Sequence, residues 1–438
     1  MLKVAKFGGS SMADAEQFKK VRAIIESDDD RKVIVVSAAG KRYPDDHKLT
    51  DLLYLCHAHL TYGVSAGPVF DMVKDRYLSI RDTLGISLDL ESDFEKLYQK
   101  MQKGISQDEL VSRGEYFSAK LLAAYLGYEF IDSANWVRFN YDGTVDQTVS
   151  YQLLREMAAG KRAVIPGFYG TMEDGKIRLM DRGGSDITGA YVAAALNADI
   201  YENWTDVSGI LMADPRIVKD AKTIARVTYS ELRELSYIGA QVLHEATIFP
   251  VREKNIPVNI RNTNDPENPG TLIRDNFEGA DPDDASLITG IAGKKGFITF
   301  SITRSGMASE SGTLRKILMV FEKYNVPIHY ILNGIDCATL VVRASSVENC
   351  RYLIQADLNR DVEPDHIHVS DNIAIIAIVG RKMASRSGSS GKIFQALGEQ
   401  NINVRMISQG PEELNIMIGV KEKDFNITID SLYHKFVG

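Results

Sequence analysis

The chain has 438 residues, three cysteines, 44% hydrophobic and 25% charged residues, and a net charge of -8. That length exceeds one ordinary hydrophobic core and argues for about three domains, while the acidic balance excludes a general nucleic-acid binder, whose grip on phosphate backbones needs a basic surface. Cys56, Cys337 and Cys350 lie far apart with no C-x-x-C pair, which fits a reduced cytoplasm, and no apolar run reaches the roughly 18 to 20 residues that span a bilayer.

Met1 leads directly into charged sequence, without the basic and apolar regions of a secretory leader. Lys3-Val4-Ala5-Lys6-Phe7 is predicted to be a strand that runs into Gly8-Gly9-Ser10-Ser11 and then straight into a helix with apolar positions Phe18, Val21, Ile24 and Ile25. Two glycines after a strand let the backbone present N–H groups to a phosphate. The helix end adds only about 0.3 to 1 kcal/mol per charge, so Lys6 would carry most of the attraction. The other reading is a plain turn with a solvated lysine. The segment matches neither G-x-x-x-x-G-K-[ST] nor G-x-G-x-x-G.

Residues 32–37, KVIVVS, read as a buried parallel strand ending in Ser37-Ala38-Ala39-Gly40-Lys41. Ligands collect beyond the carboxyl ends of such strands, so Ser37 either lines a site or caps a turn. Residues 51–126 are mostly helical by period and contain Ser112-Arg113-Gly114-Glu115. Glu115 is either a solvated or capping residue or, if shielded, a partner for a ligand ammonium. At an effective dielectric of 20 and 4 Å such a pair is worth about 4 kcal/mol before desolvation, against at most about 1 on a surface.

A strand near 128–132, a helix near 148–159 and a buried strand from Arg162 to Ile165 ending in Pro166-Gly167-Phe168-Tyr169-Gly170 follow. Asp181-Arg182-Gly183-Gly184-Ser185-Asp186 then precedes a small-residue helix from Ile187 to Ala198. Arginine offers a planar fork for carboxylate or phosphate, and aspartate can position a lysine or a hydrated Mg2+. Next comes a strand ending in Thr205-Asp206-Val207-Ser208-Gly209, followed by Ala213-Asp214-Pro215-Arg216. That loop either grips a nucleotide, with Arg216 near its phosphates, or is a pair of β-turns. Gly239-Ala240-Gln241-Val242-Leu243-His244 is expected on a helix, with His244 a helix histidine rather than a base. PVNIR at 257–261 is the last strand expected of this unit, and 262–284, rich in Asn, Asp, Pro and Gly, reads as a linker.

Beyond it the pattern β-α-β-β-α-β occurs twice at an interval of about 75 residues, as two small ferredoxin-like modules. Ser311-Gly312-Thr313-Leu314 ahead of Asn325-Val326-Pro327-Ile328 aligns with Ser390-Gly391-Lys392-Ile393 ahead of Asn401-Ile402-Asn403-Val404. Strands are expected at 296–302, 326–332, 338–344, 366–370, 372–379, 401–408 and 414–420. The second copy lacks a clear last strand, which points to shared or exchanged strands.

KFGGSS, VVSAAGK, SRGE, RGGSD, TDVSG with ADPR, and GAQVLH, in this order, resemble the monofunctional aspartokinases of the amino-acid-kinase superfamily, and the paired modules are similar to that family's ACT domains. The resemblance spans essentially the whole chain. It implies an α/β fold: an α/β/α sandwich with a mainly parallel eight-stranded sheet over 1–284, then ACT domains at 285–370 and 371–438. It implies transfer of the ATP γ-phosphoryl group to the β-carboxylate of L-aspartate, with Mg2+, as the first step toward lysine, threonine and methionine. Lys6 and Asp186 would be catalytic. Ser37, Thr50, Glu115, Arg182 and Ser185 would bind aspartate. Lys6, Gly8, Gly9, Ser10, Thr205, Asp206, Asp214, Arg216 and Gln241 would hold ATP, and no protein metal site is implied.

Lysine, or alternatively threonine, would act as feedback effector on Met307, Ser309, Glu310, Gly312, Thr313, Leu314, Ile328 and His329. A homodimer or homotetramer would form through the ACT domains, with no nucleic-acid or membrane partner. The chain departs from the family pattern at Met180-Asp181, at Leu211 in place of a tyrosine, at Gln241 in place of a lysine and at Glu245 in place of a proline. An acetylglutamate or glutamate kinase would share the kinase fold without SRGE and the tandem tail. A non-catalytic amino-acid sensor is disfavoured by the presence of Lys6, Glu115, Arg182, Asp186 and Asp206 together.

Overall fold

The computed structural model describes residues 1–181, 183–239, 245–277, 287–383, 386–410 and 414–437. The chain divides into two compact units, one of Met1–Ile210, Thr223–Tyr229 and Gln241–Glu278, the other of Leu211–Lys222, Ser230–Ala240 and Gly279–Gly438.

The first unit is built on an eight-stranded sheet in the order Glu129–Phe130, Ala163–Pro166, Arg31–Val36, Lys3–Phe7, Ile200–Thr205, Val258–Asn262, Thr271–Arg274, Arg226–Thr228. Its first six strands are parallel. Side chains alternate between the faces of a strand, and this sorts the core. Ala5, Phe7, Ile34, Val36 and Val164 join one hydrophobic cluster with helices Ala15–Glu26, Leu49–Thr61, Gly67–Leu84, Glu91–Lys103 and Gln107–Leu126. Lys6 lies between Ala5 and Phe7 and therefore faces the other way, toward the layer that holds helix Gly184–Leu196.

Two expectations for this unit change. Thr271–Arg274 lies within the stretch expected to be a linker; it pairs antiparallel with Val258–Asn262 and parallel with Arg226–Thr228, so two short pairings finish the sheet. The opening glycine pair does not enter the helix directly. A four-residue 3-10 turn, Gly9–Met12, comes first. The α-helix then starts at Ala15, capped by the Asp14 side chain accepting from the Gln17 N–H at 2.9 Å. Its apolar stripe is as expected, with Phe18, Val21, Ile24 and Ile25 buried.

The second unit holds a six-stranded sheet in the order Ile328–Asn333, Cys337–Arg343, Gly290–Thr303, His366–Val379, Asn415–Lys421, Met406–Gln409. All its pairings are antiparallel. The strands expected at 366–370 and 372–379 are one strand, continued through Asn372 in the left-handed region at φ 58°. The strand expected at 296–302 begins at Gly290. Its first half, Gly290 to Lys294, pairs with Val379 to Ile375 and supplies the strand that the second repeat lacks, while Phe297 to Thr303 pairs with Arg343 to Cys337 in the first repeat. A cut at 370/371 therefore falls inside a continuous strand. Leu287, Ile288 and Ile291 accordingly pack in the second repeat's core with Ile376, Ile393 and Ile418, as do Ala213 and Val218.

Among the described residues no helix is long and apolar enough to cross a membrane.

Candidate active site

Lys6 sits in the middle of the sheet, 6% exposed, with Val35 and Asn203 as its register neighbours. Its Nζ lies 2.5 Å from Asp186 Oδ1. The helix that carries Asp186 starts at Gly184, three residues before the expected start, so Ser185 and Asp186 stand in its first turn, where negative charge is favoured. Asn203 Nδ2 donates to the same Asp186 oxygen at 3.2 Å, and the Tyr201 hydroxyl donates to the Asp186 carbonyl at 3.0 Å. One carboxylate oxygen thus meets both Lys6 and Asn203, while the residue's backbone is held by Tyr201. Among the described residues Asn203 Oδ1 is buried with no hydrogen-bond partner.

The cradle is made of two loops rather than one. Gly8 N–H donates to the Trp204 carbonyl at 3.0 Å, and Gly40 N–H donates to the Gly9 carbonyl at 2.8 Å. The Gly9 and Gly40 backbones are so close that a Cβ on Gly40 would stand 2.6 Å from the Gly9 carbonyl carbon. Both loops leave the carboxyl ends of neighbouring parallel strands, which is where such sheets bind ligands. Ser37 donates its N–H to the Phe7 carbonyl at 3.1 Å, and Leu49 N–H donates to the Ala39 carbonyl at 3.1 Å, which places half-buried Thr50 in the first turn of helix Leu49–Thr61 beside the same loop.

Glu115 comes from the opposite layer. Its helix Gln107–Leu126 is capped by Ser106 and closed by Gly127 at φ 69°. A Cβ on Gly114 would lie 2.7 Å from Ala38 Cβ, so only glycine lets the helix approach the loop this closely. Glu115 is 4% exposed, which settles the choice between a solvated and a shielded residue. Burial pushes its carboxyl up to about 8, partly offset by a hydrogen bond from the Ala38 backbone. Among the described residues its Oε2 is buried with no hydrogen-bond partner.

Phe168 is a part of the site that sequence reasoning did not single out. It takes φ 80°, a left-handed conformation that costs a bulky residue about 1 to 3 kcal/mol. Its N–H donates to Thr188 Oγ1 at 2.9 Å and its carbonyl accepts from Met180 N–H at 2.7 Å. A Cβ on Gly184 would meet Phe168 Cδ2 at 2.0 Å, and one on Gly167 would meet Ser185 Cβ at 2.7 Å. The start of the Asp186 helix is thereby seated on the end of strand Ala163–Pro166. The only sequence signal was a Gly-Phe-Tyr-Gly run after an apolar strand.

Thr205 and Asp206 end strand Ile200–Thr205, with Thr205 Oγ1 donating to Asp206 Oδ1 at 3.1 Å. Asp214 and Arg216 belong to the second unit. Arg216 is 87% exposed and its Nη2 lies 2.6 Å from Asp214 Oδ2; this pairing holds the Asp214 carboxyl below its ordinary range. Arg182, Gln241 and His244 lie outside the described residues.

The expected effector residues all lie in the second unit. Met307 is buried beside Ile317 with half-buried Ile328 against them, and Gly312, at φ 93°, caps helix Thr313–Lys323. Glu310 pairs with Arg304 at 2.8 Å, while Ser309 and Leu314 are exposed. Among the described residues Thr313 Oγ1 and Arg304 Nη1 are buried without hydrogen-bond partners. His329 Nδ1 lies 2.9 Å from the Tyr237 hydroxyl, its ring stands edge-on to Phe297, and burial lowers its pKa, with Arg343 and Lys294 adding to the shift.

Residues 1–262 match the model of the amino acid kinase family, and 376–436 match that of the ACT domain. Aspartokinase 3 of Bacillus subtilis is 34% identical over 455 residues, covering 99% of this chain and 98% of that protein. This chain belongs to the aspartokinases of the amino acid kinase family. The crystal structure of Clostridium acetobutylicum aspartate kinase is similar with a TM-score of 0.91 at 45% identity over 99% of both chains. E. coli aspartokinase III in complex with aspartate and ADP gives a TM-score of 0.72 at 25% identity, again over 99% of both. The chain is an aspartate kinase. Asn203 and Gly40 were not singled out in the sequence, although Gly40 stands in VVSAAGK; Asn203 is brought in by register with Lys6 and Gly40 by its backbone hydrogen bond to Gly9.

Proposed function

We propose that the chain moves the γ-phosphoryl group of ATP onto the β-carboxylate of L-aspartate, giving 4-phospho-L-aspartate at the head of lysine, threonine and methionine synthesis. The observation that carries this reading is the buried Glu115 carboxyl with an oxygen that lacks a partner. A substrate ammonium there would favour the charged carboxylate and fix the amino acid by one end. Ser37, Thr50 and Ser185 supply further polar atoms, and Arg182 would take the α-carboxylate.

An acceptor carboxylate is already nucleophilic, so no general base is required, and positioning with charge neutralisation must supply the rate. Lys6 is suited to the charge that builds on the transferring group, and Asp186 and Asn203 hold it in place. Gly8, Gly9 and Ser10 would meet the phosphates, with Thr205, Asp206, Asp214, Arg216 and Gln241 on the nucleotide. To serve there Arg216 would have to divide its guanidinium between phosphate and Asp214. Among the described residues no group of three or more His, Cys, Asp or Glu could hold a metal. Mg2+ would come as a counter-ion on the ATP phosphates, where it would neutralise oxygen charge, with Asp186 the residue that would orient its water shell.

Lysine is the proposed feedback effector, at Met307, Ser309, Glu310, Gly312, Thr313, Leu314, Ile328 and His329, with threonine the rival. A structure of the E. coli enzyme holds lysine and aspartate, and the unpartnered Thr313 hydroxyl supports a ligand at this place. Self-association as a homodimer or homotetramer through the ACT domains completes the reading.

The test is ADP formation with aspartate, with glutamate and with neither, repeated with lysine or threonine added. Aspartate-dependent turnover that lysine lowers is expected. Equal rates with and without aspartate would overturn the reaction, and indifference to millimolar lysine would overturn the effector.

A further inference from the structure

Helix Gly67–Leu84 buries an arginine that no motif contains. Arg76 is 7% exposed, and its Nη2 donates to Asp46 Oδ1 at 2.9 Å and Oδ2 at 2.8 Å. Its Nη1 donates to the Gly40 carbonyl at 3.2 Å and the Ala13 carbonyl at 3.4 Å. Asp46, 5% exposed, also accepts from Arg42 through the backbone N–H at 3.0 Å, Nε at 2.8 Å and Nη2 at 3.1 Å.

One guanidinium therefore joins both loops of the cradle. It holds Gly40, whose N–H is on Gly9, and Ala13, which ends the turn that begins at Gly9. It also folds 40–46 back on itself through Asp46. A planar fork can serve three acceptors at once, whereas a lysine offers one compact head.

We propose that Arg76 is a positioning residue for phosphoryl transfer: through Asp46 and the Gly40 carbonyl it keeps the loop that starts at Ser37 in register with the Gly9 loop. A buried pair could serve stability alone, since breaking one is costly anywhere. The distinguishing feature is where the remaining donors go, to the carbonyls of the two segments that meet at the cradle. The proposal rests on the reaction given above, and displacing reacting groups by about 1 Å costs on the order of a hundredfold in rate.

The experiment uses the full chain with Arg76→Lys, which keeps the charge, and Arg76→Gln, with Asp46→Asn as a third variant. Denaturant unfolding identifies conditions where each is folded. There kcat should fall about tenfold or more and KM for aspartate should rise. Hydrogen exchange gives a readout that needs no substrate: the Gly40 amide should exchange at least about tenfold faster, with the amides of strand Val258–Asn262 unchanged. Folded Arg76→Lys with unaltered kcat, KM and Gly40 exchange overturns the proposal, as does a Gly40 exchange rate that rises only in step with global unfolding. If the unsubstituted chain shows no aspartate-dependent ADP formation, the reaction is what has failed, and Gly40 exchange alone decides whether Arg76 holds the loops together.

Discussion

Lys6 Nζ and Asp186 Oδ1 are 2.5 Å apart, with the amide of Asn203 on the same oxygen at 3.2 Å. The lysine is oriented by groups on the adjacent strand and on a helix start, so its ammonium is fixed before any ligand arrives. Lys6→Ala is expected to lower kcat by about 10²- to 10³-fold, the usual cost of one aimed donor, and to change ATP affinity far less. Steady-state kinetics and nucleotide titration check this; equal losses in both would make Lys6 an anchor instead.

Glu115 carries a pH prediction. Its carboxyl is raised in the folded chain from an ordinary 4.5 to about 8 because burial disfavours the charged form. Between those values the folded state binds more protons than the unfolded one, so this residue's contribution to stability declines as pH rises from 4.5 to about 8 and is level above. Glu115→Gln should remove the decline. The variant gains stability over the parent at pH 9 and loses that advantage near pH 4, while KM for aspartate rises sharply at every pH. Unfolding curves at the two pH values, showing no difference in the gap, would contradict a buried ionisable Glu115.

Gly40→Ala places a methyl group 2.6 Å from the Gly9 carbonyl carbon, a backbone atom with no rotamer to yield. One of the two cradle loops has to move. The expected result is a folded protein with kcat lowered on the order of a hundredfold, whereas Gly391→Ala, which has open space, leaves kcat alone. Full activity in Gly40→Ala would show that the loop contact is not needed for turnover.

Glu202 lies buried under the sheet and accepts from Arg31 Nε at 2.7 Å and Nη2 at 3.2 Å and from Trp204 Nε1 at 2.9 Å, with Arg261 Nη1 at 3.9 Å. Glu202→Gln leaves buried Arg31 and largely buried Arg261 without their shared counter-charge. A loss of about 3 to 5 kcal/mol of stability is expected in denaturant titration. A loss under about 1 kcal/mol would mean that water or Asp28, 4.0 Å from Arg31, carries the balance.

Thr313→Val tests the effector place. Valine keeps the shape and removes a buried hydroxyl whose unmet hydrogen bond costs about 1 to 3 kcal/mol. The variant should be as stable as the parent or more so, keep its basal turnover and respond less to lysine. An unchanged lysine response would move the effector elsewhere.

Much of this was legible in the sequence because it is locally encoded. Phe18, Val21, Ile24 and Ile25 announce a helix by their spacing, and the β-branched run 33–36 announces a buried strand. Lys6, Glu115, Asp186 and the Gly8-Gly9 pair stood out because those residue types are costly or idle at a plain turn or apolar helix face. What the local pattern could not say was which loop Gly9 faces. It could not say that Asn203 and Phe168 hold the Asp186 helix start, nor that Gly290 to Lys294 pairs outside its own repeat. The latter was hidden by Gly293 and Lys294-Lys295-Gly296, which interrupt the apolar alternation where one strand passes from one module to the next.

By itself the sequence indicated many of the strands and helices, a change to a repeated pattern in the last third of the chain and the chemical inventory of the candidate site, since side-chain type and periodicity are properties of short segments. The tertiary structure alone decided that Gly40 closes on Gly9 and that Glu115 is shielded with one oxygen left over. It also placed Asp214 and Arg216 in the second unit and Arg76 across both cradle loops. Each of these joins segments far apart in the chain, through sheet register and the packing of helices onto opposite faces, and register is a property of the assembled sheet that no single strand contains.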